Sequence, residues 1–202
     1  MKYKVFGIAM AVLMLVCALA ATAAEAKEGP YRVHQHLTAR QPDAGCDCGG
    51  TELCTHLPLV IIDTGGEEIP GVPVNGENDA DLAFTTTNTG ETMLSVRIAI
   101  QDDESRNHHP SDTPDLESRA LIRVRGNSSR YFEKKSYLLR FTDEEGSYED
   151  HRVMGMDAHY EWALHGPYLD KSLIRNYMWY NIAGEMMDYA PNVRFCEVIL
   201  NG

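Results

Sequence analysis

Short runs in which apolar and polar side chains alternate dominate the middle of the chain and predict a β-sheet. The clearest run has Leu94, Val96, Ile98 and Ile100 alternating with polar or small residues, the period of two expected for a half-buried strand. Residues 102–117 are charged and contain prolines, so we expect a long loop there. The predicted strands are Leu57–Asp63, Met93–Gln101, Ala120–Arg125, Lys135–Phe141 and Arg194–Leu200.

One amphipathic helix is predicted after Asp170. Its apolar side chains recur every four residues and form one stripe, which consists of Ile174, Met178, Ile182 and Met186. Asp170 is a good N-cap for a helix that begins at Lys171, and Pro191 ends it. A helix with a single apolar stripe must bury that stripe. We therefore expect it to pack on the sheet, in a fold of the α+β class.

Residues 1–24 have the order of a secretory signal peptide. Lys2 and Lys4 form a positive start, an apolar run extends from Val5 to Ala21, and small residues follow. An uncleaved membrane anchor is the alternative. Cys17 also leaves lipid attachment open, although the bulky residue before it disfavours this. We therefore expect a secreted or cell-surface protein with no stable membrane span after cleavage.

Residues 25–56 are expected to form a polar linker or a cysteine-bearing arm. A cluster near its end could hold zinc, and it consists of Cys46, Cys48, Cys54 and His56. The Cys-x-Cys spacing is tighter than that of usual structural zinc sites, and export favours disulfides or free thiols for these cysteines and Cys196. We therefore predict no metal site, and the disulfide pairing stays open.

The formal net charge of −12 disfavours polyanionic binding partners. An acidic chain repels nucleic acids and anionic membrane surfaces unless a local basic patch intervenes. The sequence has only a small basic island, from Arg119 to Arg140. We therefore expect no nucleic-acid partner.

The basic island contains a candidate anion site. Its turn, Arg125-Gly126-Asn127-Ser128-Ser129-Arg130, places two guanidiniums and two hydroxyls close together, and Lys134 and Lys135 open the next strand. Turn N–H groups and planar guanidiniums both suit phosphate oxygens. The alternative is a solvated hairpin with ordinary surface charge, which composition alone favours. The turn has neither the Lys-Ser/Thr of a Walker loop nor the repeated glycines of the protein-kinase loop.

Three ordered segments resemble the spore coat protein H (CotH) kinase-like family. The first is Ile122–Arg130 with Lys134–Tyr137, the second is Trp162–Asn176 and the third is Glu197–Gly202. Three motifs in this order are much more specific than any one of them. Residues 57–202 are therefore identified as the N-terminal part of a CotH kinase-like domain.

The resemblance implies an atypical protein-kinase-like fold that uses ATP and Mg²⁺ to phosphorylate serine residues of extracellular or spore-coat proteins. The turn from Arg125 to Arg130 would lie over the nucleotide phosphates. Lys135 would contact phosphate, with Lys134 as a near-equal candidate. The implied nucleotide-binding residues are Arg125, Asn127, Ser128, Ser129, Arg130, Lys134 and Lys135.

The resemblance also implies groups that this sequence lacks. Phosphoryl transfer needs metal-holding carboxylates and usually an aspartate that orients the attacking hydroxyl. In the family these groups follow the hairpin at Asn201-Gly202, so no catalytic residue is assigned. We expect residues 57–202 to be a domain incomplete at its C-terminus and inactive alone. The alternative function is a non-catalytic coat, surface-assembly or adhesion protein that uses the same scaffold.

Overall fold

A computed structural model describes residues 48, 50, 52–75 and 82–202, which form mostly β-sheet with one α-helix. The predicted α+β class is therefore confirmed for this part of the chain. The predicted signal peptide, Cys17, Cys46 and most of the arm at residues 25–56 lie outside the described residues. No helix within the described ranges is long and apolar enough to cross a membrane.

Six strands form one sheet in the order β5-β4-β3-β2-β1-β6. Neighbouring strands are antiparallel except β1 and β6, which run parallel at one edge. The helix, α1, lies in the chain between β5 and β6. The elements are β1 Leu59–Asp63, β2 Leu94–Gln101, β3 Leu116–Arg125, β4 Ser136–Thr142, β5 Glu161–Leu164, α1 Arg175–Met186 and β6 Glu197–Leu200.

The five predicted strands are confirmed in place, but several begin later or earlier than predicted and one further strand is present; β1 begins at Leu59 rather than Leu57, and β6 at Glu197 rather than Arg194. β3 begins at Leu116 rather than Ala120, because Glu117 and Ser118 pair with β2 although their side chains are polar. This pairing shortens the predicted loop at residues 102–117. The additional strand β5 has only four residues, too few for a period of two to stand out in the sequence.

The core lies against one face of the sheet. Alternate residues of β2, from Leu94 to Ile100, are buried and pack with the inward side chains of β1, β3 and β4. Val153, Met154 and Met156, from the connection between β4 and β5, cover this face. Burial of each large apolar side chain contributes about 1.5–3 kcal/mol, so this face supplies most of the driving force for folding.

The start of α1 differs from the prediction. The helix begins at Arg175, four residues later than expected, and its N-cap is Ile174 rather than Asp170. Residues 170–173 form a separate turn, closed by the Leu173 N–H, which donates to the Asp170 carbonyl over 3.1 Å. Across this turn the Asp170 carboxylate accepts the N–H of Arg175 at 2.9 Å. Asp170 therefore still caps a helical N–H, but from outside the helix.

The prediction that α1 packs on the sheet is wrong for the described residues. No residue of α1 is buried, and the stripe members Met178 and Met186 are 42% and 75% exposed. One contact of α1 is made by the ring of Tyr177, which stacks on Phe195, two residues before β6, with centroids 4.9 Å apart. The apolar stripe stays exposed because no strand of the described chain lies over it.

The end of β6 adopts the backbone of the predicted hairpin turn. Asn201 and Gly202 have φ values of 61° and 88°, and a two-residue type I′ turn requires positive φ at both positions. The Asn201 side-chain oxygen also accepts the backbone N–H of Thr64 at 2.9 Å. This contact ties the end of β6 to the turn that follows β1.

Gly166 joins the segment after β5 to the start of β4. Its N–H donates to the Ser136 hydroxyl over 3.0 Å. A Cβ atom at this position would overlap the carbonyl oxygen of Lys135 and lie 2.9 Å from the carbonyl carbon. The second motif therefore docks on the first through a backbone contact that only glycine permits.

Replacing Gly166 with alanine should reduce the free energy of unfolding by about 2–3 kcal/mol, because the obstructing atoms are backbone and cannot rotate away. Gly146→Ala is the matched control. It has φ of 88° and nothing within 4 Å of an added Cβ, so it should cost only about 1 kcal/mol of backbone strain. Urea denaturation followed by circular dichroism measures both values. Equal losses in the two variants would contradict the close-contact interpretation.

Candidate anion-binding site

The connection between β3 and β4 forms a tight turn whose shape depends on Gly126. This residue has φ of 119°, and a Cβ atom here would overlap the Ser129 hydroxyl. A 3₁₀ turn over Ser128–Tyr131 follows. The Arg130 N–H donates to the Asn127 carbonyl over 3.1 Å and closes this turn. Asn127 and Ser128 are exposed on the turn and Ser129 is half-buried, as a loop that meets a ligand requires.

Arg130 is held inside the turn by the protein itself. Its Nε donates to the Gly126 carbonyl over 2.7 Å, and a terminal nitrogen donates to the Gly71 carbonyl over 3.0 Å. The guanidinium also lies 4.4 Å from the centroid of the Phe84 ring. Burial, and then repulsion by Arg123, lowers the pKa of Arg130. These contacts indicate that the guanidinium of Arg130 stabilises the shape of the turn rather than binding a ligand directly.

Lys135 has a similar internal role. Its ammonium donates to the Arg130 carbonyl over 2.7 Å, and the residue is half-buried at the start of β4. The lysine therefore stabilises the turn and keeps a positive charge against its backbone at Arg130.

Arg125, Lys134 and His165 form a separate positive group, which we call the Arg125 cluster. Lys134 and His165 are exposed, and Arg125 is half-buried at the end of β3. The pKa of His165 is lowered, first by partial burial and then by the positive charges of Arg125 and Lys134, while the Asp170 carboxylate opposes this shift. The pairing of Arg125 with Ser136 and the close approach of Gly166 to Lys134 and Lys135 bring the three residues into one region.

The structure therefore divides the sequence-predicted residues into two sets. Arg130 and Lys135 donate to backbone carbonyls, whereas Arg125 ends β3 beside the turn and Lys134 is exposed just before β4. His165 was not predicted as a site residue, although it lies within the second motif. Its place beside Arg125 could not be found from the sequence, because it depends on the docking of Gly166 against Lys135.

A second basic group lines a shallow cleft of about 490 Å³ beside the turn. Arg123, Arg130 and Arg140 contribute to its wall, together with Phe84 and Thr85. Arg140 is neutralised by Glu161, whose carboxylate lies 2.7 Å from its Nε. With Arg130 also committed to the turn, this cleft offers less available charge than the Arg125 cluster.

Among the described residues, no group of carboxylates suited to Mg²⁺ lies beside the Arg125 cluster. Asp170 is the nearby acid, and its oxygens already accept hydrogen bonds from the N–H groups of Ser172 and Arg175. Within the described ranges, the one group of three possible metal ligands is Cys48, Cys54 and His109. Its thiols and imidazole do not match the oxygen ligands that Mg²⁺ prefers. The described residues therefore do not fit a magnesium centre for a nucleotide.

Comparison with known proteins places the turn and the Arg125 cluster within one family segment. Residues 122–202 match the family model described as CotH kinase protein. Neither the curated proteins nor the solved structures gave a match. The matched residues contain all three motifs that carry the resemblance seen in the sequence. The predicted resemblance to the CotH kinase family is confirmed for residues 122–202.

Proposed function

We propose that this chain belongs to an exported atypical protein kinase of the CotH type, which transfers phosphate from Mg-ATP to serine residues of extracellular or spore-coat proteins. The observation that carries the proposal is the Arg125 cluster. Two separate family motifs meet there, and both lie within the segment that matches the CotH model. The proposed fold is an atypical kinase-like fold, to which the described sheet contributes the N-terminal part.

The proposed task of the described residues is to hold the phosphates of the nucleotide. Arg125 and Lys134 present charge beside the turn, where N–H groups of the exposed turn backbone can also donate to phosphate oxygens. Lys135 and Arg130 keep the turn in shape and add positive potential. A bound Mg²⁺ would supply further neutralisation of phosphate charge, and the described residues contain no group of carboxylates that would hold it.

This division of roles changes which of the two lysines we propose as the main phosphate contact. The resemblance favours Lys135 as the phosphate contact, with Lys134 nearly equal. We now propose Lys134 as the direct contact, because the Lys135 ammonium already donates to the Arg130 carbonyl over 2.7 Å. Lys135 then acts as a positioning residue.

Export remains part of the proposal. The order of Lys2, Lys4 and the apolar run from Val5 to Ala21 supports a cleaved signal peptide. The protein would then act in a secreted or cell-surface location, of which the spore coat is one example. Its substrate would be a serine-containing exported or coat protein.

A non-catalytic coat, surface-assembly or adhesion protein is the second candidate function. Two observations favour it: the described residues gather no carboxylates for magnesium, and the apolar stripe of α1 is exposed. An exposed apolar face of this kind can mark a surface for assembly. Phosphotransfer by the protein made from the complete reading frame decides between the two functions.

Nucleotide binding should depend on Arg125 and Lys134. We expect the chain to bind ATP weakly, and Arg125→Ala and Lys134→Ala each to weaken binding about 5- to 10-fold, since each removes a charge-assisted hydrogen bond. Arg119→Ala is the matched control, because it removes the same charge from an exposed position in the same strand. NMR titration with ATP measures the affinities. Equal affinity in all four proteins would contradict the proposed site.

Binding should also strengthen as the pH falls. The lowered pKa of His165 means that the folded chain takes up this proton less readily than the unfolded chain, so acidification through about pH 6.5 destabilises the free protein. A bound phosphate reverses the effect, because it favours the imidazolium. The ratio of the ATP affinity at pH 5.5 to that at pH 8 should therefore be higher for the wild type than for His165→Gln. The titration of ATP itself affects both proteins equally, so the difference between them reports on His165. Identical pH profiles would remove His165 from the site.

Phosphate transfer should require both lysines. With labelled ATP, Mg²⁺ or Mn²⁺ and a serine-rich acceptor, the protein from the complete reading frame should label the acceptor. Lys134→Ala should label least of the single variants, and the double variant with Lys135→Ala should label least overall. Equal labelling by all four proteins would exclude both lysines from the reaction. Absence of both ATP binding and labelling in the wild type would favour the non-catalytic function.

A further inference from the structure

Two thiols and an imidazole converge at the end of the sheet remote from the Arg125 cluster. Cys48 and Cys54 come from the arm before β1, and His109 comes from the loop between β2 and β3. Their ligand atoms all lie within 4.8 Å of one another, and neither sulfur is part of a disulfide. We call this group the Cys–His cluster. It differs from the set suggested by the sequence, which paired the cysteines with His56.

Main-chain contacts hold the two segments of the Cys–His cluster together. Thr55 and His108, the neighbours of Cys54 and His109, exchange backbone hydrogen bonds of 3.1 and 2.8 Å. The buried ring of His108 also forms hydrogen bonds with the Leu57 carbonyl at 2.8 Å and the Asp103 carbonyl at 3.1 Å. Because these contacts do not involve the thiols, the cluster is assembled before any ligand arrives.

The His109 ring is oriented by a carboxylate. Its Nδ1 lies 3.1 Å from an Asp112 oxygen, which also accepts the His109 N–H at 3.0 Å. The buried Gln101 side chain donates to the carbonyls of both residues, at 2.8 and 3.2 Å. Histidines that bind metals commonly have such a carboxylate on the other ring nitrogen, which fixes the tautomer and the ring plane.

The imidazole of His109 lies close to both sulfurs, within the 4.8 Å that separates the ligand atoms of the cluster. Contact with the Cys48 thiol, followed by contacts with Asp112 and Cys54, raises the pKa of His109 to about 9.

Ligand type and spacing together indicate the kind of metal. Thiolate and imidazole ligands suit zinc, at distances of about 2.3 Å from sulfur and 2.0–2.1 Å from nitrogen. Tetrahedral geometry then places the ligand atoms about 3.5–3.8 Å apart, so the observed limit of 4.8 Å requires a contraction of only ~1 Å. Side-chain rotation can supply this movement at an exposed residue such as Cys54.

We propose that Cys48, Cys54 and His109 bind one zinc ion, with Asp112 as the positioning residue and an exchangeable ligand in the fourth place. The metal would link the arm to the loop between β2 and β3. Since the arm leads directly into β1, the link would fix the entry of the chain into the sheet. This site is independent of the proposed nucleotide site, which lies at the opposite end of β3.

Metal analysis of the full chain tests the proposal. Protein isolated without reductant or chelator and dialysed against zinc should retain about one zinc per chain, as measured by mass spectrometry of the metal. Replacement of zinc by cobalt in the wild type should produce thiolate-to-cobalt charge-transfer bands. This test needs no variant. Cys54→Ser and His109→Gln should abolish stoichiometric binding. Asp112→Asn should weaken zinc affinity about 10- to 100-fold, the range measured for such supporting carboxylates.

The matched controls are Cys196→Ser and His56→Gln, which change the same residue types outside the Cys–His cluster. Both should keep the zinc content and the cobalt spectrum of the wild type. Loss of zinc in His56→Gln with retention in His109→Gln would overturn the assignment. A disulfide that includes Cys48 or Cys54 in the protein isolated without reductant, detected by peptide mapping, would overturn the zinc site itself.

Discussion

The close approach of Gly166 to the backbone of Lys135 is the contact on which the candidate nucleotide site depends. It brings the segment after β5 against the first residues of β4, so that His165 and Asp170 lie beside the charges of Arg125 and Lys134. Neither motif contains a complete anion site alone. The site is created by docking, and the docking leaves no room for a side chain at this glycine.

The strands were predictable wherever one face of the sheet is buried and the other meets water. The alternation in β2 reports this asymmetry directly, because its buried and exposed residues follow the period of the pleat. α1 shows the limit of the same reasoning. Its apolar stripe correctly indicated a helix, but amphipathicity predicts only that a face can be covered, and no strand in the described part of the chain covers it.

The chemistry of the turn was visible in the sequence, but the roles of its residues were not. A guanidinium can contact phosphate or brace a loop, and the choice for Arg130 depends on Gly71 and Phe84, which lie far away in the chain. The choice between the two lysines depends in the same way on the Arg130 carbonyl. Likewise, the zinc alternative that the sequence offered, and that we did not favour, grouped the cysteines with His56. The pairing of Thr55 with His108 instead brings His109 to the thiols.

The two proposed sites lie at opposite ends of β3, and this separation determines how they can influence each other. β3 has ten residues, so its ends are about 30 Å apart at the rise of an extended strand. This separation is well beyond the Debye length of roughly 8–10 Å, so the charges of the two sites are largely screened from each other. Any coupling would therefore have to pass through the packing of the sheet. Metal binding should stabilise the arm and β1 while leaving the affinity of the Arg125 cluster for phosphate unchanged, because contributions from distant sites without shared partners are additive.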